Sequence, residues 1–135
     1  MTDPAEVFRR TVAAVVAGDL DDALNYLDED LTMDWSRSRG PLQGTYEGKS
    51  GARRYWEDML EAWKPIAWDL EVVGRPTPDT VVLESKPYAQ GQGSGIELQG
   101  RGGVIVRARD GKLVSITLFQ SPEEALECAG ESSER

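Results

Sequence analysis

The first part of the chain carries apolar residues at helical spacing. Between Asp3 and Gly18 they recur every three or four positions, as in a helix that buries one face. The order Asp3-Pro4 predicts the cap and first turn of this helix, and Gly18 predicts its end. Asp19 predicts the cap of a second, shorter helix, whose apolar residues continue to Leu27. Two packed helices are therefore expected to lead the chain.

The pattern then changes from helical spacing to alternation. Residues 31–36, LTMDWS, alternate apolar and polar side chains, which predicts a half-buried strand. Residues 37–48 contain glycines and a proline, so they predict a loop with a short strand around Tyr46. A third helix is predicted from a cap at Ser50 to the breaker Lys64-Pro65. Its apolar stripe is strongly aromatic and consists of Ala52, Trp56, Met59 and Trp63.

The second half of the chain is rich in strand-forming residues. Residues 67–75 and 80–88 predict two strands, and the prolines within residues 76–79 predict a rigid turn between them. Residues 93–121 predict two longer strands, because Asp110-Gly111 lies between β-rich runs and glycine provides the positive φ of a hairpin turn. An isolated hairpin is only marginally stable, so these four strands are expected to form one antiparallel sheet covered by helices.

Two further features complete the predicted architecture. Ser121 and Pro122 open a capping box, so a short helix is expected from there to Gly130, before a polar, frayed tail from about residue 131. The glycines at positions 100, 102 and 103 predict a β-bulge that bends the sheet. The order of helices and strands predicts an α+β fold, with the helices on one face of a strongly bent antiparallel sheet.

Composition restricts the expected partners. A chain of 135 residues with 39% hydrophobic content is expected to form a single domain, residues 1–135. Its formal charge of -9 would repel nucleic acid and anionic bilayers, so neither is an expected partner. The absence of a membrane-length apolar run and of a secretion-signal pattern favours the cytoplasm. With no histidine, Cys128 as the only cysteine and no nucleotide-binding loop, neither a metal nor a cofactor is expected.

Several segments together resemble a known family. AGDLDDALNYLDEDLTMDW, GKSGARRYWEDM and RDGKLVSITLF are similar to the SnoaL-like and ketosteroid-isomerase-like branch of the NTF2-like superfamily, and SPEEALECAG resembles the helix that ends many bacterial members. The resemblance covers about Val7 to Gly130. It implies a cone-shaped NTF2-like fold, a hydrophobic small-molecule ligand and a homodimer formed through the sheet. Isomerases, polyketide cyclases, hydrolases, dehydratases and non-catalytic binding modules share this fold, so the resemblance leaves the function open.

The catalytic residues of the ketosteroid isomerases are not matched in this chain. The resemblance places the isomerase base on Trp35, with Asp34 as its neighbour, and the tyrosine of the first helix on Thr11. The late-strand aspartate of the isomerases falls near Gly103 or Val104. Isomerisation of the steroid type is therefore not expected. Because neighbours on a strand face opposite ways, Asp34 would point away from a cavity that Trp35 lines.

Acidic side chains remain the candidates for catalysis. Asp34 adjoins the family's base position, and Glu84 or Glu97 could supply the acidic base of a polyketide cyclase. Together with Arg101, the two glutamates also have the chemistry of the limonene-epoxide hydrolases, which use two aspartates bridged by an arginine. The opposing interpretation is that these carboxylates pair on the outer face with Arg101, Lys86 or another cross-strand base.

The candidates for ligand binding are aromatic or amide side chains: Trp35, Tyr46, Trp56, Trp63, Tyr88 and Gln99. The aromatic stripe of the third helix is expected to face the core, with one or two rings lining a cavity. A bulge at Gly102-Gly103 would turn Glu97 and Gln99 inward.

Two functions fit these residues. One is a cofactor-free isomerase, cyclase or hydrolase acting on a hydrophobic or polycyclic substrate, and the other is a non-catalytic module that binds a ligand in the hollow or a protein on the outer face of the sheet. A carboxylate in the cone, close to a tyrosine or a second acid, would favour the enzyme. A cone lined only by apolar groups and tryptophans would favour the binding module.

Overall fold

The computed structural model describes residues 3–36, 44–91 and 97–130 of the chain. The helices are α1 (Pro4–Val16), α2 (Leu20–Leu24), α3 (Gly48–Ala62) and α4 (Pro122–Ala129). The strands are β1 (Leu27–Trp35), β2 (Gly44–Glu47), β3 (Trp63–Thr77), β4 (Thr80–Gly91), β5 (Glu97–Gln99), β6 (Gly102–Arg109) and β7 (Lys112–Phe119). Across these three ranges, no helix combines the length and the apolar character needed to cross a bilayer. The predicted frayed tail lies outside the described residues.

All of these strands belong to one sheet, in the order β2-β1-β7-β6-β4-β3, and β5 pairs with β4. The pairs are antiparallel except for β1 with β7, which run parallel. The turn between β6 and β7 is the predicted one, since Asp110 has φ 56° and Gly111 has φ 77°. Both central residues of the turn are left-handed, as the favoured two-residue hairpin requires. The predictions of the α+β class and of the long hairpin are confirmed.

The second helix is shorter than predicted. It ends at Leu24, and Leu27 belongs to β1 instead, where it pairs with Leu113 of β7. The same junction is held by the Leu113 N–H, which donates to Tyr26 O at 2.8 Å. Leu27 therefore follows the sheet rather than the helical pattern, because pairing with a distant strand outweighs a weak local preference.

The third helix also has different ends. It begins at Gly48, directly after β2, and not at a cap on Ser50. It ends at Ala62, so Trp63 is the first residue of β3 and pairs with Gly91. Pro65 explains this earlier end, because proline disfavours helical backbone at the residue before it.

The pairing along β4 continues from β5 to β6 without a change of register. Tyr88 pairs with Gln99. Ser85, three residues before Tyr88, pairs with Gly102, three residues after Gln99. The predicted bulge at Gly102-Gly103 is therefore wrong, and the phase shift expected from it does not occur. Register shifts occur instead in β1, in β3 and near the turn of the β6–β7 hairpin, where they can bend the sheet.

The two faces of the sheet carry different helices. The main core lies between α1, α3 and one sheet face, which includes Leu83, Val104 and Ile116. The opposite face, called here the outer face, is partly covered by α4, whose Ala125 packs in a second cluster with Val82 and Phe119. The helices are thus not all on one face, because α4 follows β7 directly and packs on the other side.

Candidate ligand-binding cavity

A cavity lies between the sheet and the helices α1 and α3. It contains about 540 Å³ of space, including the part that is open to solvent. Eleven of its fourteen described lining residues have apolar or indole side chains, and the other three are Thr11, Tyr55 and Ser85. None of these fourteen residues is a lysine, arginine, aspartate or glutamate. The described wall of the cavity is therefore uncharged.

Three tryptophans from different elements form part of the wall. They are Trp35 at the end of β1, Trp56 on α3 and Trp68 on β3. Trp35 and Trp56 are two of the predicted ligand-binding residues, and the structure brings both to this cavity. Large flat rings held by separate rigid elements provide a surface on which a planar apolar ligand can pack.

Trp35 belongs to an aromatic cluster with Tyr55 and Tyr46. Trp35 Nε1 donates a hydrogen bond to the Tyr55 hydroxyl at 2.5 Å, and the two rings meet edge to face with centroids 5.3 Å apart. The ring of Tyr46, on β2, lies 5.0 Å from that of Tyr55. Tyr46 is absent from the cavity lining, so it contacts a lining residue instead of the cavity itself. The cluster connects β1, β2 and α3 beside the cavity.

Tyr55 is a neutral hydroxyl in this wall. Tyr55 is only 7% exposed, and this burial raises the pKa of Tyr55 to about 12. The hydrogen bond from Trp35 acts in the opposite direction, since it stabilises the phenolate and lowers the pKa, but burial is the larger effect. At neutral pH Tyr55 therefore adds a polar group to the cavity without adding a charge.

Three of the positions that the family resemblance matches to the isomerase catalytic residues reach the cavity. Thr11, Trp35 and Val104 are lining residues. The Thr11 hydroxyl donates to Val7 O at 2.8 Å, so its proton is already used within α1. Gly103, the other position that the resemblance matches to the late-strand acid, faces α4 instead. This wall thus has a threonine, an indole and a valine where the isomerases have a tyrosine and two carboxylic acids.

Asp34 is absent from the cavity lining. Its neighbours Met33 and Trp35 both line the cavity, so strand alternation places Asp34 on the outer face. The N–H and the hydroxyl of Ser36 donate to Asp34 Oδ1 at 2.9 Å and 2.6 Å. The structure therefore places this carboxylate in a local turn and not beside the cavity.

Glu84 also lies on the outer face. It sits opposite Gly103 in the strand register and forms an ion pair with Arg101. Arg101 in turn donates to both carboxylate oxygens of Glu123 in α4, at 3.2 Å and 2.8 Å. This hydrogen bonding by the guanidinium lowers the pKa of the Glu123 carboxyl. Glu84 thus takes part in an ion-pair network that joins α4 to the sheet.

The other predicted site residues are not in the described lining. Trp63 is partly buried against the main core, and Tyr88 is paired with Ala67 across β3 and β4. Glu97 and Gln99 belong to β5, but their side chains lie outside the described part of the structure. The cavity therefore receives two of the predicted ligand-binding residues, Trp35 and Trp56, and neither of the two acids whose side chains are described.

Tyr55, Trp68 and Ser85 line the cavity but are not among the ligand-binding residues predicted from the sequence. Alternation could have identified two of them. Trp68 shares a strand face with Leu70, and Ser85 shares one with Leu83, which is fully buried. Ser85 is the polar member of a buried alternating set, whereas the charge of the neighbouring Glu84 favours Glu84 as the predicted acid. Tyr55 is next to Trp56 on α3, and an apolar face wider than the predicted stripe includes it.

Comparisons with known proteins identify the family and fold. A family model described as a SnoaL-like domain matches residues 8–116. Among curated proteins, none matches the chain significantly.

Three solved structures have similar folds. RV0760c from Mycobacterium tuberculosis, in complex with estradiol-17beta-hemisuccinate, is 15% identical with a TM-score of 0.76, over 87% of this chain and 94% of that chain. An NTF2-like protein from Burkholderia xenovorans LB400 is 19% identical with a TM-score of 0.75, over 96% and 98%. The Delta 5-3-ketosteroid isomerase from Mycobacterium sp. is 13% identical with a TM-score of 0.76, over 90% and 96%. At these identities the likeness concerns the fold, which is the NTF2-like cone predicted from the sequence.

Proposed function

The chain belongs to the SnoaL-like domain family, and we propose that its cavity captures a hydrophobic, polycyclic small molecule without acid–base catalysis. The observation that carries this proposal is the uncharged wall, which includes Thr11, Trp35 and Val104, the positions that the family resemblance matches to the isomerase catalytic groups. A general acid or base must reach its substrate directly or through one water. The described acidic candidates, Asp34 and Glu84, lie on the outer face and cannot do so.

The chemistry of the wall favours a ligand with fused rings. Burial of apolar surface contributes about 25 cal/mol per Å² to binding, before the entropy costs of association. Three tryptophans offer flat contact surfaces, and their rigid positions on β1, α3 and β3 reduce the ordering cost of capture. The estradiol-17beta-hemisuccinate bound to RV0760c and the ketosteroid named for the Mycobacterium isomerase both have fused rings, which supports this ligand class.

Filling part of the cavity is expected to weaken capture. Val12 of α1 lines the cavity, whereas Val16, one turn later on the same helix, is 41% exposed and lies outside the lining. We expect polycyclic ketones of three or four rings to change the tryptophan fluorescence of the wild-type protein with micromolar midpoints. Val12→Phe is expected to weaken this binding at least about tenfold, because its ring would occupy space the ligand needs, equivalent to about 1.4 kcal/mol.

The matched control is Val16→Phe, which adds the same ring to the same helix outside the cavity and is expected to bind as the wild type does. An absence of response across the whole panel, or an equal loss in both variants, would contradict capture in this cavity. Chemical conversion of a bound ketone, followed by chromatography, would instead support the enzyme interpretation and contradict the non-catalytic one.

We also propose that two copies associate through the outer face of the long strands, as the family resemblance implies. Part of this face is already covered within the chain, because α4 packs on Val82 and Phe119. Val73 of β3 is 38% exposed and is therefore an apolar side chain that a second copy could cover. Sedimentation at micromolar concentration is expected to give the mass of a dimer, and a monomer mass would refute this association.

A further inference from the structure

Ser85 is a buried hydroxyl that faces the cavity without a hydrogen-bond partner. It is 4% exposed and lines the cavity from β4. In the described part of the chain, Ser85 Oγ makes no hydrogen bond. Every side-chain oxygen or nitrogen atom in that part that is sealed from solvent does have a hydrogen-bond partner. The Ser85 oxygen is therefore accessible from the cavity. Of its two cross-strand neighbours, Leu70 also lines the cavity and Gly102 has no side chain that could cover it.

Each of the other two hydroxyls of the wall already takes part in one hydrogen bond. The Thr11 hydroxyl donates its proton to Val7 O, and the Tyr55 hydroxyl accepts a hydrogen bond from Trp35 Nε1. Ser85 alone among the described lining hydroxyls has both its proton and its lone pairs available. A buried hydroxyl is normally hydrogen-bonded, so an unpaired one in a cavity wall indicates a position where a ligand or a water completes the bond.

The charge of the wall restricts what that ligand group can be. No cationic side chain is among the described lining residues, so a buried carboxylate would lose its hydration without gaining an opposite charge. A carbonyl or hydroxyl oxygen has a much smaller desolvation cost, and a single hydroxyl donor can satisfy it. Building on the proposed capture of a polycyclic molecule, we propose that Ser85 Oγ donates a hydrogen bond to a neutral ligand oxygen and that the cavity selects against carboxylated analogues.

Three ligands with one ring skeleton test this inference: 9-fluorenone, fluorene and fluorene-9-carboxylate. Equilibrium dialysis at pH 7 would measure their binding to the wild type, to Ser85→Ala and to Ser115→Ala. Ser115 is a serine of β7 outside the cavity lining, so it provides the matched control. We expect Ser85→Ala to weaken fluorenone binding about fivefold, the usual value of one neutral hydrogen bond, and to leave fluorene binding unchanged. The carboxylate is expected to bind the wild type at least about tenfold more weakly than fluorenone.

The outcomes separate this inference from the capture on which it depends. Failure of all three ligands to bind the wild type would overturn both. Binding of fluorenone that Ser85→Ala leaves unchanged, or an equal loss for fluorenone and fluorene, would overturn the role of Ser85 while capture stands. Equal or tighter binding of the carboxylate would overturn the selection for neutral ligands. Unchanged fluorene binding by Ser85→Ala also shows that the variant keeps an intact cavity.

Discussion

Gly103→Ala is expected to lower the free energy of unfolding by about 2–3 kcal/mol, within the usual range for overpacking a tight site. A Cβ atom at this position would lie 2.5 Å from Ser121 O, 2.7 Å from Pro122 Cα and 2.8 Å from Ala125 Cβ. Two of these three atoms belong to backbone, so no side-chain rotation can relieve the clash. The first turn of α4 would have to move away from the outer face, which would also strain the contact between Arg101 and Glu123.

Gly100→Ala is the matched control for this substitution. A Cβ atom at Gly100 would meet nothing within 4 Å, and its backbone is not in the left-handed region. The gain from a less flexible unfolded chain is similar for both variants, so the difference between them reports the clash. Urea denaturation followed by circular dichroism would measure both, and Gly100→Ala is expected to stay within about 0.5 kcal/mol of the wild type. Equal stability of the two variants would contradict the close packing of α4 on Gly103.

Tyr55 is expected to make the protein less stable in alkaline solution. Burial raises the pKa of Tyr55 to about 12, from its ordinary value of 10.0. Below pH 10 the tyrosine is protonated in both the folded and unfolded states, so its contribution to stability is complete. Between pH 10 and about 12 only the unfolded state loses the proton, and stability falls with rising pH. The total loss is of the order of 2–3 kcal/mol, with about 1.4 kcal/mol gone at pH 11.

Tyr55→Phe isolates this effect. At pH 7 the variant is expected to be less stable by about 1–3 kcal/mol, because Trp35 Nε1 loses its acceptor in a partly buried site. The advantage of the wild type over this variant should then shrink as the pH rises above 10. Denaturation curves from pH 7 to pH 11 would measure the difference, and a constant difference over that range would refute the raised pKa.

Trp35→Phe provides a complementary control. It keeps the Tyr55 hydroxyl but removes the indole N–H that stabilises the phenolate, so the pKa of Tyr55 is expected to rise further. Absorbance of the tyrosinate at high pH would follow this change in the folded protein. A lower pKa for Tyr55 in this variant would contradict the hydrogen bond from Trp35.

Local sequence determined the elements whose signals act over a few residues. Asp3 accepts a hydrogen bond from the Ala5 N–H at the start of α1, and Asp19 accepts one from the Asp22 N–H at the start of α2. Ser121 does the same at α4, and Asp110-Gly111 forms the predicted turn. Caps and turns depend on neighbours in the chain, so their residue types are sufficient to identify them. The family resemblance predicted how these local elements assemble into the cone-shaped fold.

Element ends that depend on distant partners were less predictable. Leu27 suits a helix by its spacing, but its pairing with Leu113 assigns it to β1. Trp63 continues the aromatic stripe of α3, yet it opens β3 opposite Gly91. In both cases the contacts formed in the folded sheet are stronger than the local preference, and the sequence does not show which strand will arrive there.

The direction in which each strand residue points also depends partly on local sequence and partly on distant partners. The sequence alone determined that Glu84 and Ser85, as neighbours on a strand, point in opposite directions. The packing of the folded chain sets the direction: Ser85 faces the cavity, and Glu84 pairs with Arg101 beneath α4. That choice depends on an unbroken register from β5 to β6 and on the docking of α4 over Gly103. Alternation is a local property of the strand, whereas the identity of the buried face is set by the elements that pack against it.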